Sequence, residues 1–164
     1  MRVVVSDTSP ICYLVLIGEA ALLEKLYGRI LIPQAVYDEL QRPQAPEELR
    51  RWIASAPDWV DVISTADASI SPLVSASLGG GERSAIGLAL KMKADLLLID
   101  ERAGSAEAQR LGLTVSGTLG VLARSAERGF IRLVPVLDRL LATNFRVHPE
   151  IIRQLILEEA RRLG

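Results

Sequence analysis

The sequence predicts a single α/β domain with a central parallel β-sheet and helices on both of its faces. Three observations predict it. Strand-like and helix-like segments alternate along the chain, as in doubly wound folds. The strand-like segments include short unbroken aliphatic runs, Val3-Val4-Val5 and Leu96-Leu97-Leu98-Ile99, and such runs suit strands buried on both faces. Both runs lead to an acid, Asp7 and Asp100. Ligands of open α/β sheets bind beyond the carboxyl ends of the strands. Two carboxylates delivered there from distant parts of the chain suggest a site that wants a cation.

Taken in order, a strand over 3–6 precedes helical spacing at Ile11–Leu16 and Ala20–Leu26, which Gly28 stops as a C-terminal cap would. Ile30–Ile32 is the second strand, and Pro33 suits the first turn of a helix over Gln34–Gln41 that Pro43 ends. Pro46–Ala56 is helical and Trp59–Ile63 is the third strand. Residues 64–78 are Ser- and Ala-rich and poorly periodic, a loop or a weak helix. Gly79-Gly80-Gly81 opens a helix from Glu82 to about Lys93. Strand 95–99, helix 103–111, strand 113–116 and helix 119–128 follow, with glycines at 112 and 129 as stops. Two further helices, near 135–142 and 149–162, make a helical C-terminal extension over about 135–164 to a domain spanning 1–164.

Composition narrows the class. At 164 residues the chain is one domain, large enough to bury roughly two thirds of its unfolded surface. No stretch approaches the roughly 20 apolar residues that span a membrane, and no basic region leads into an apolar leader. The single cysteine, Cys12, excludes an intramolecular disulfide and points to a reducing, cytoplasmic setting. Its apolar neighbours make it a structural thiol. The formal net charge of −1 gives no global signal for nucleic acid, so any such binding depends on local patches.

Helical geometry places two more acids. Glu82 falls at the centre of the stripe formed by Ala85, Ile86 and Ala89, so it points inward, where an unpaired carboxylate is costly. Complementing its own helix N-terminus is the plainer role, but that role does not require an inward direction. In helix 34–41, Val36 and Leu40 mark the buried face; Asp38 lies opposite it in solvent, and Glu39 lies beside it, within reach of the sheet edge. The three glycines are not a nucleotide-binding P-loop, because no Lys-Ser or Lys-Thr follows at the required spacing. Asp7, Glu39, Glu82 and Asp100 thus converge on one edge. Packed carboxylates raise one another's pKa unless a cation neutralises them. All-oxygen ligands suit Mg²⁺ or Mn²⁺, and the lack of clustered His and Cys argues against zinc. The Thr8 and Ser9 hydroxyls can position Asp7 or a metal-bound water, while Ser9-Pro10 also reads as a helix N-cap followed by proline at N1.

Four segments then carry a resemblance. Val4-Val5-Ser6-Asp7-Thr8-Ser9-Pro10, Ile32-Pro33-Gln34-Ala35-Val36-Tyr37-Asp38-Glu39-Leu40, Gly80-Gly81-Glu82-Arg83-Ser84-Ala85 and Leu97-Leu98-Ile99-Asp100-Glu101-Arg102 resemble, in order, the acidic motifs of PIN-domain ribonucleases. Val115-Ser116-Gly117-Thr118-Leu119-Gly120 is similar to that family's turn after a later strand. The resemblance implies a PIN-like fold, an acidic Mg²⁺ or Mn²⁺ site and cleavage of RNA. It also implies the toxin of a VapBC-type toxin–antitoxin pair, commonly dimeric and inhibited by a co-expressed antitoxin. It gives Asp7, Glu39, Glu82 and Asp100 catalytic positions, with Asp7, Glu82 and Asp100 on the metal and Thr8, Ser9, Glu101 and Thr118 in support. Glu82 departs from the aspartate common at the third position, and Glu101 can substitute for, or assist, Asp100.

The expected activity is therefore endonucleolytic hydrolysis of RNA. RNA needs a positive rim around an acidic centre; Arg102 and Arg83 are the leading candidates, followed by Arg110, Arg124 and Arg128. His148, before Pro149, reads as a cap rather than a general base. Trp52 and Trp59 read as core or interface residues. The final helix carries Ile151, Ile152, Leu155, Ile156 and Leu163 on a face expected to pack on the domain, or to meet a second copy or an antitoxin. Two rival classes are a phosphoacceptor domain, which lacks its usual second acid near Asp7, and a non-catalytic PIN-like metal- or protein-binding regulatory module.

Overall fold

The structure, a computed structural model, describes residues 2–64 and 73–164. Among these, β1 (Val4–Ser6), β2 (Ile30–Pro33), β3 (Val60–Ile63), β4 (Leu96–Leu98) and β5 (Val115–Ser116) form one sheet. Every pairing is parallel, in the order β3-β2-β1-β4-β5. The chain winds outward from β1 through β2 and β3, then returns with β4 on the other side of β1. Winding reverses between β1 and β4, and that is where a ligand crevice opens in such sheets. Ser6 is level with Leu98. The Asp7 N–H continues the ladder, donating to the Leu98 carbonyl at 2.8 Å.

One face of the sheet is covered by α1 (Thr8–Leu16), α2 (Ala21–Tyr27), α3 (Gln34–Leu40), α4 (Glu47–Ala54), α7 (Thr118–Glu127) and α8 (Leu133–Leu141). The other is covered by α5 (Gly80–Lys91) and α6 (Arg102–Arg110). Val4, Leu96 and Leu98 enter the first core, whereas Val5, Leu97 and Ile99 enter the second. A strand buried on both faces needs an apolar residue at every position, which explains the unbroken runs. The last helix, α9 (Pro149–Leu163), packs on α7 and α8.

Several boundaries differ from expectation, each for a physical reason. The first helix starts at Thr8, so Asp7, in extended backbone, is its N-cap residue and Ser9 is not. Pro10 still lies within the first turn, where a missing N–H costs nothing. Pro33 closes β2 and is the N-cap of α3, not its first turn. Helix α5 begins at Gly80, so two of the three glycines are helical. The expected loop or weak helix over 64–78 falls largely on 65–72, outside the described residues. Gly28, at φ +80°, ends α2 in the conformation glycine adopts most readily.

The C-terminal helices are held by a contact that periodicity does not suggest. Glu159, 6% exposed on α9, accepts from the Leu133 N–H through both carboxylate oxygens, at 3.1 and 2.9 Å. It serves as the cap of α8 from another helix, which starts α8 two residues before the periodicity does. Ile152, Leu155 and Ile156 pack on the core as expected, but Ile151 and Leu163 are 49% and 53% exposed. His148 caps α9, its Nδ1 accepting from the Glu150 N–H at 3.1 Å. Trp52 and Trp59 pack together at the core margin, with centroids 5.9 Å apart. Cys12 is half-buried there, and burial together with the Asp100 charge pushes its thiol up, away from nucleophilic thiolate.

Removing the Glu159 carboxylate leaves a buried N–H without its partner. Glu159→Ala is expected to cost about 2 kcal/mol in chemical denaturation, with Glu159→Gln recovering part of it. An unchanged midpoint for the alanine variant would show that this carboxylate does not fasten α8 to α9.

Candidate active site

Asp7 leaves β1 at the switch point and is 4% exposed. Glu39 and Glu82 approach it from α3 and from the first turn of α5. The three carboxylates line one open cleft of about 520 Å³, with Thr8 and Ser9 on its wall. The approach is close because residue 81 has no side chain. A Cβ on Gly81 would stand 2.6 Å from Glu39 Oε2 and 3.6 Å from Asp7 Oδ1. The glycine run, which suggests a phosphate loop by composition, thus makes room for carboxylates.

Each acid has its own support. Thr8 Oγ1 donates to Glu39 Oε2 at 2.7 Å, so this hydroxyl positions Glu39, where the expected partner is Asp7 or a metal-bound water. Glu82 faces the cleft and also accepts from the Gly79 N–H at 3.3 Å. One carboxylate therefore serves both the site and the start of its helix. Asp100 leaves β4 and is held by Thr118 twice, by its N–H and by its hydroxyl, both at 2.7 Å. Gly117 permits this arrangement, since a Cβ there would meet Asp100 Oδ1 at 2.5 Å. Glu101 turns away from Asp100 to cap α6, accepting from the Gly104 N–H at 2.8 Å.

The four expected positions are not equivalent. Asp100 lines a second cleft of about 360 Å³ together with Ser116, Gly117, Gly120 and Arg146. Among the described residues, no three of these acids close to the spacing of a formed metal site. Their charges nevertheless meet at Asp7. Burial raises its carboxyl to about 7, partly opposed by the Thr8 N–H, and Glu82, Glu39 and Asp100 push it further up. Burial also raises Asp100, against the two Thr118 hydrogen bonds.

The basic residues stand differently from expectation. Arg102 is exposed at the start of α6 and lines neither cleft. Arg83 also lies outside both, half-buried, its Nε without a hydrogen-bond partner among the described residues. Arg110 pairs with Glu107 and Arg124 with Glu127. The cation on the first cleft is Arg42, which is not among the arginines expected at the rim. It lies past the end of α3, in a turn whose Arg42 N–H donates to the Glu39 carbonyl at 3.3 Å and so keeps the two residues together. Asp38, exposed as expected, joins the same rim and accepts from Gln34 Nε2 at 2.9 Å. Arg146 comes from the α8–α9 connection, and only the tertiary fold brings it to Asp100.

Comparison with known families decides the relationship: a family described as a PIN domain matches residues 3–161. The chain belongs to the PIN-domain family. PIN domains are in general nucleases and typically use divalent metal ions. A comparison with curated proteins found no match. The residues present fit a hard divalent cation: the donors are carboxylates and hydroxyls, and Gly81 leaves the cradle that a Cβ would fill. In this PIN domain Asp7, Glu39 and Glu82, which share the first cleft, would hold the ion. Among the described residues no helix is long and apolar enough to cross a membrane.

The raised carboxyl has a consequence for stability without metal. A group whose folded pKa lies near 7, against 3.8 for an ordinary aspartate, favours folding while protonated and loses that advantage as pH rises from about 4 to about 7. In chelator, Asp7→Asn is expected to be more stable than the wild type at pH 8, by on the order of 4 kcal/mol, and to lose that margin toward pH 4. A margin independent of pH in thermal melts would refute the buried-charge explanation.

Proposed function

We propose that this PIN domain is a metal-dependent endoribonuclease that hydrolyses RNA phosphodiester bonds. The supporting observation is the convergence of Asp7, Glu39 and Glu82 on one cleft at the switch point, with Asp100 beside it. Bound Mg²⁺ or Mn²⁺ would supply a water of lowered pKa and neutralise charge developing on the phosphoryl group. The chain's residues do the positioning. Asp7, Glu39 and Glu82 provide the negative seat, and Thr8 fixes the direction of Glu39. Asp100, oriented by Thr118, is assigned the attacking water, from which it would accept a hydrogen bond. Arg42, on the rim, is placed to meet a phosphate near the acids.

Within this reading the protein is a cytoplasmic toxin of a toxin–antitoxin pair. A second copy and an inhibiting antitoxin are its expected partners, and Ile151 and Leu163 on α9 offer either of them apolar area. One observation favours the other reading, a non-catalytic binding module: Asp100 is turned to Thr118 and lines its own cleft.

Cleavage of labelled RNA and DNA by the purified protein in Mn²⁺, Mg²⁺ or EDTA separates the two. The nuclease reading predicts metal-dependent cutting of RNA that Asp7→Asn and Asp100→Asn each lower by at least about a thousandfold, since several kcal/mol of charge stabilisation are lost. Folded wild type that binds metal without cutting would establish the binding module instead. A graded companion is Thr118→Val, which keeps the carboxylate and its bond from the residue-118 N–H but removes the hydroxyl that holds Oδ2. It is expected to lower kcat by about tenfold with little effect on KM, the loss of a hydrogen bond that orients a charged group. Full activity in that variant would remove Thr118 from the mechanism.

A further inference from the structure

We infer that the RNA strand leaves the acidic site along α7, through a basic groove formed by Arg2, Arg124 and Arg128. The inference rests on the nuclease reading for its substrate class and adds the path and the residues that hold it. The Asp100 cleft does not end at Asp100. Ser116 and Gly120, which form part of its wall, also line a further cleft of about 220 Å³ that contains the three arginines. The two clefts therefore adjoin. Gly120, Arg124 and Arg128 are spaced four residues apart and lie along one side of the helix. That stripe rises about 12 Å from the Asp100 cleft to its last arginine.

The charges in this groove are largely uncommitted. Arg124 has an acid partner, Glu127, at 3.2 Å. Arg2 and Arg128 form no ion pair among the described residues. Each lies instead over an aromatic ring, Arg2 at 5.8 Å from the Tyr27 centroid and Arg128 at 5.2 Å from that of Phe130. Lys25 approaches the Phe130 ring as well, at 5.8 Å. Rings under guanidinium groups hold them in place while leaving their N–H donors outward. Guanidinium groups spaced along a groove suit the phosphates of a single strand. The formal net charge of −1 conceals this clustering. A strand held here continues into the cleft that Asp100 lines, whereas among the described residues the first cleft offers only Arg42 for the same purpose.

The test is binding of a fluorescein-labelled single-stranded RNA in EDTA, followed by anisotropy over a range of NaCl concentrations. The variants are the wild type, Arg2→Gln/Arg128→Gln, and a control with the same change of charge, Arg50→Gln/Arg153→Gln. The groove variant is expected to bind about tenfold more weakly, and its slope of log affinity against log salt is expected to fall by about 0.7 for each arginine removed. The control should match the wild type. In Mn²⁺ the groove variant should raise KM and leave kcat unchanged. An unchanged slope, or an equal loss in the control, overturns the groove, and so does a wild type that fails to bind RNA; an acidic protein as the true occupant would give the first of these. Chelator makes the measurement independent of turnover. A wild type that binds RNA through these arginines but never cuts it therefore refutes the nuclease reading alone.

Discussion

A carboxylate that the fold buries among like charges is the constraint from which the rest of the site follows. Asp7 is nearly inaccessible, and its carboxyl stands near 7 because burial and three neighbouring acids all oppose its charge. Nothing in the packing of β1 requires an acid at that point. The cost is an energetic strain carried in the site, of the kind that proteins accumulate where charge is to be met by a ligand. The surrounding residues are arranged to keep the strain rather than relieve it. Gly81 lets Glu39 draw in, Thr8 fixes it there, and Thr118 keeps Asp100 pointed at the next cleft.

The topology explains why these groups meet. Two strands far apart in sequence, β1 and β4, lie side by side where the winding reverses. Each hands its next polar residue to the same edge. Helices α3 and α5 flank that edge, and each contributes one acid to the crevice. Burial on both sides of the sheet then makes the arrangement rigid, since the strand residues alternate between two full cores.

Much of this is legible in the sequence because it depends on local rules. The aliphatic runs specify doubly buried strands, and the acids at their ends follow from strand length alone. The inward direction of Glu82 follows from helical periodicity. What is not legible depends on tertiary contact. Periodicity cannot show that Thr8 bonds Glu39 instead of its neighbour Asp7, because that partner comes from another helix. Nor can it show that Glu101 is taken up by the start of α6, or that Asp100 and Asp7 line different clefts. The cap that Glu159 places on α8 is hidden for the same reason, and it moves the start of that helix. Arg42 is hidden as well, since it lies past the end of α3 and a turn, not helical spacing, brings it to the rim.

If the buried carboxylates form a seat for a divalent cation, calorimetric titration of the full chain with Mn²⁺ should reveal it. Asp7→Asn and Gly81→Ala are the variants to set beside the wild type. The wild type is expected to bind saturably and both variants to lose that binding. One removes a ligand charge, and the other fills the cradle between Glu39 and Asp7. Equal binding by all three, or none by the folded wild type, would show that the carboxylates are not a metal seat.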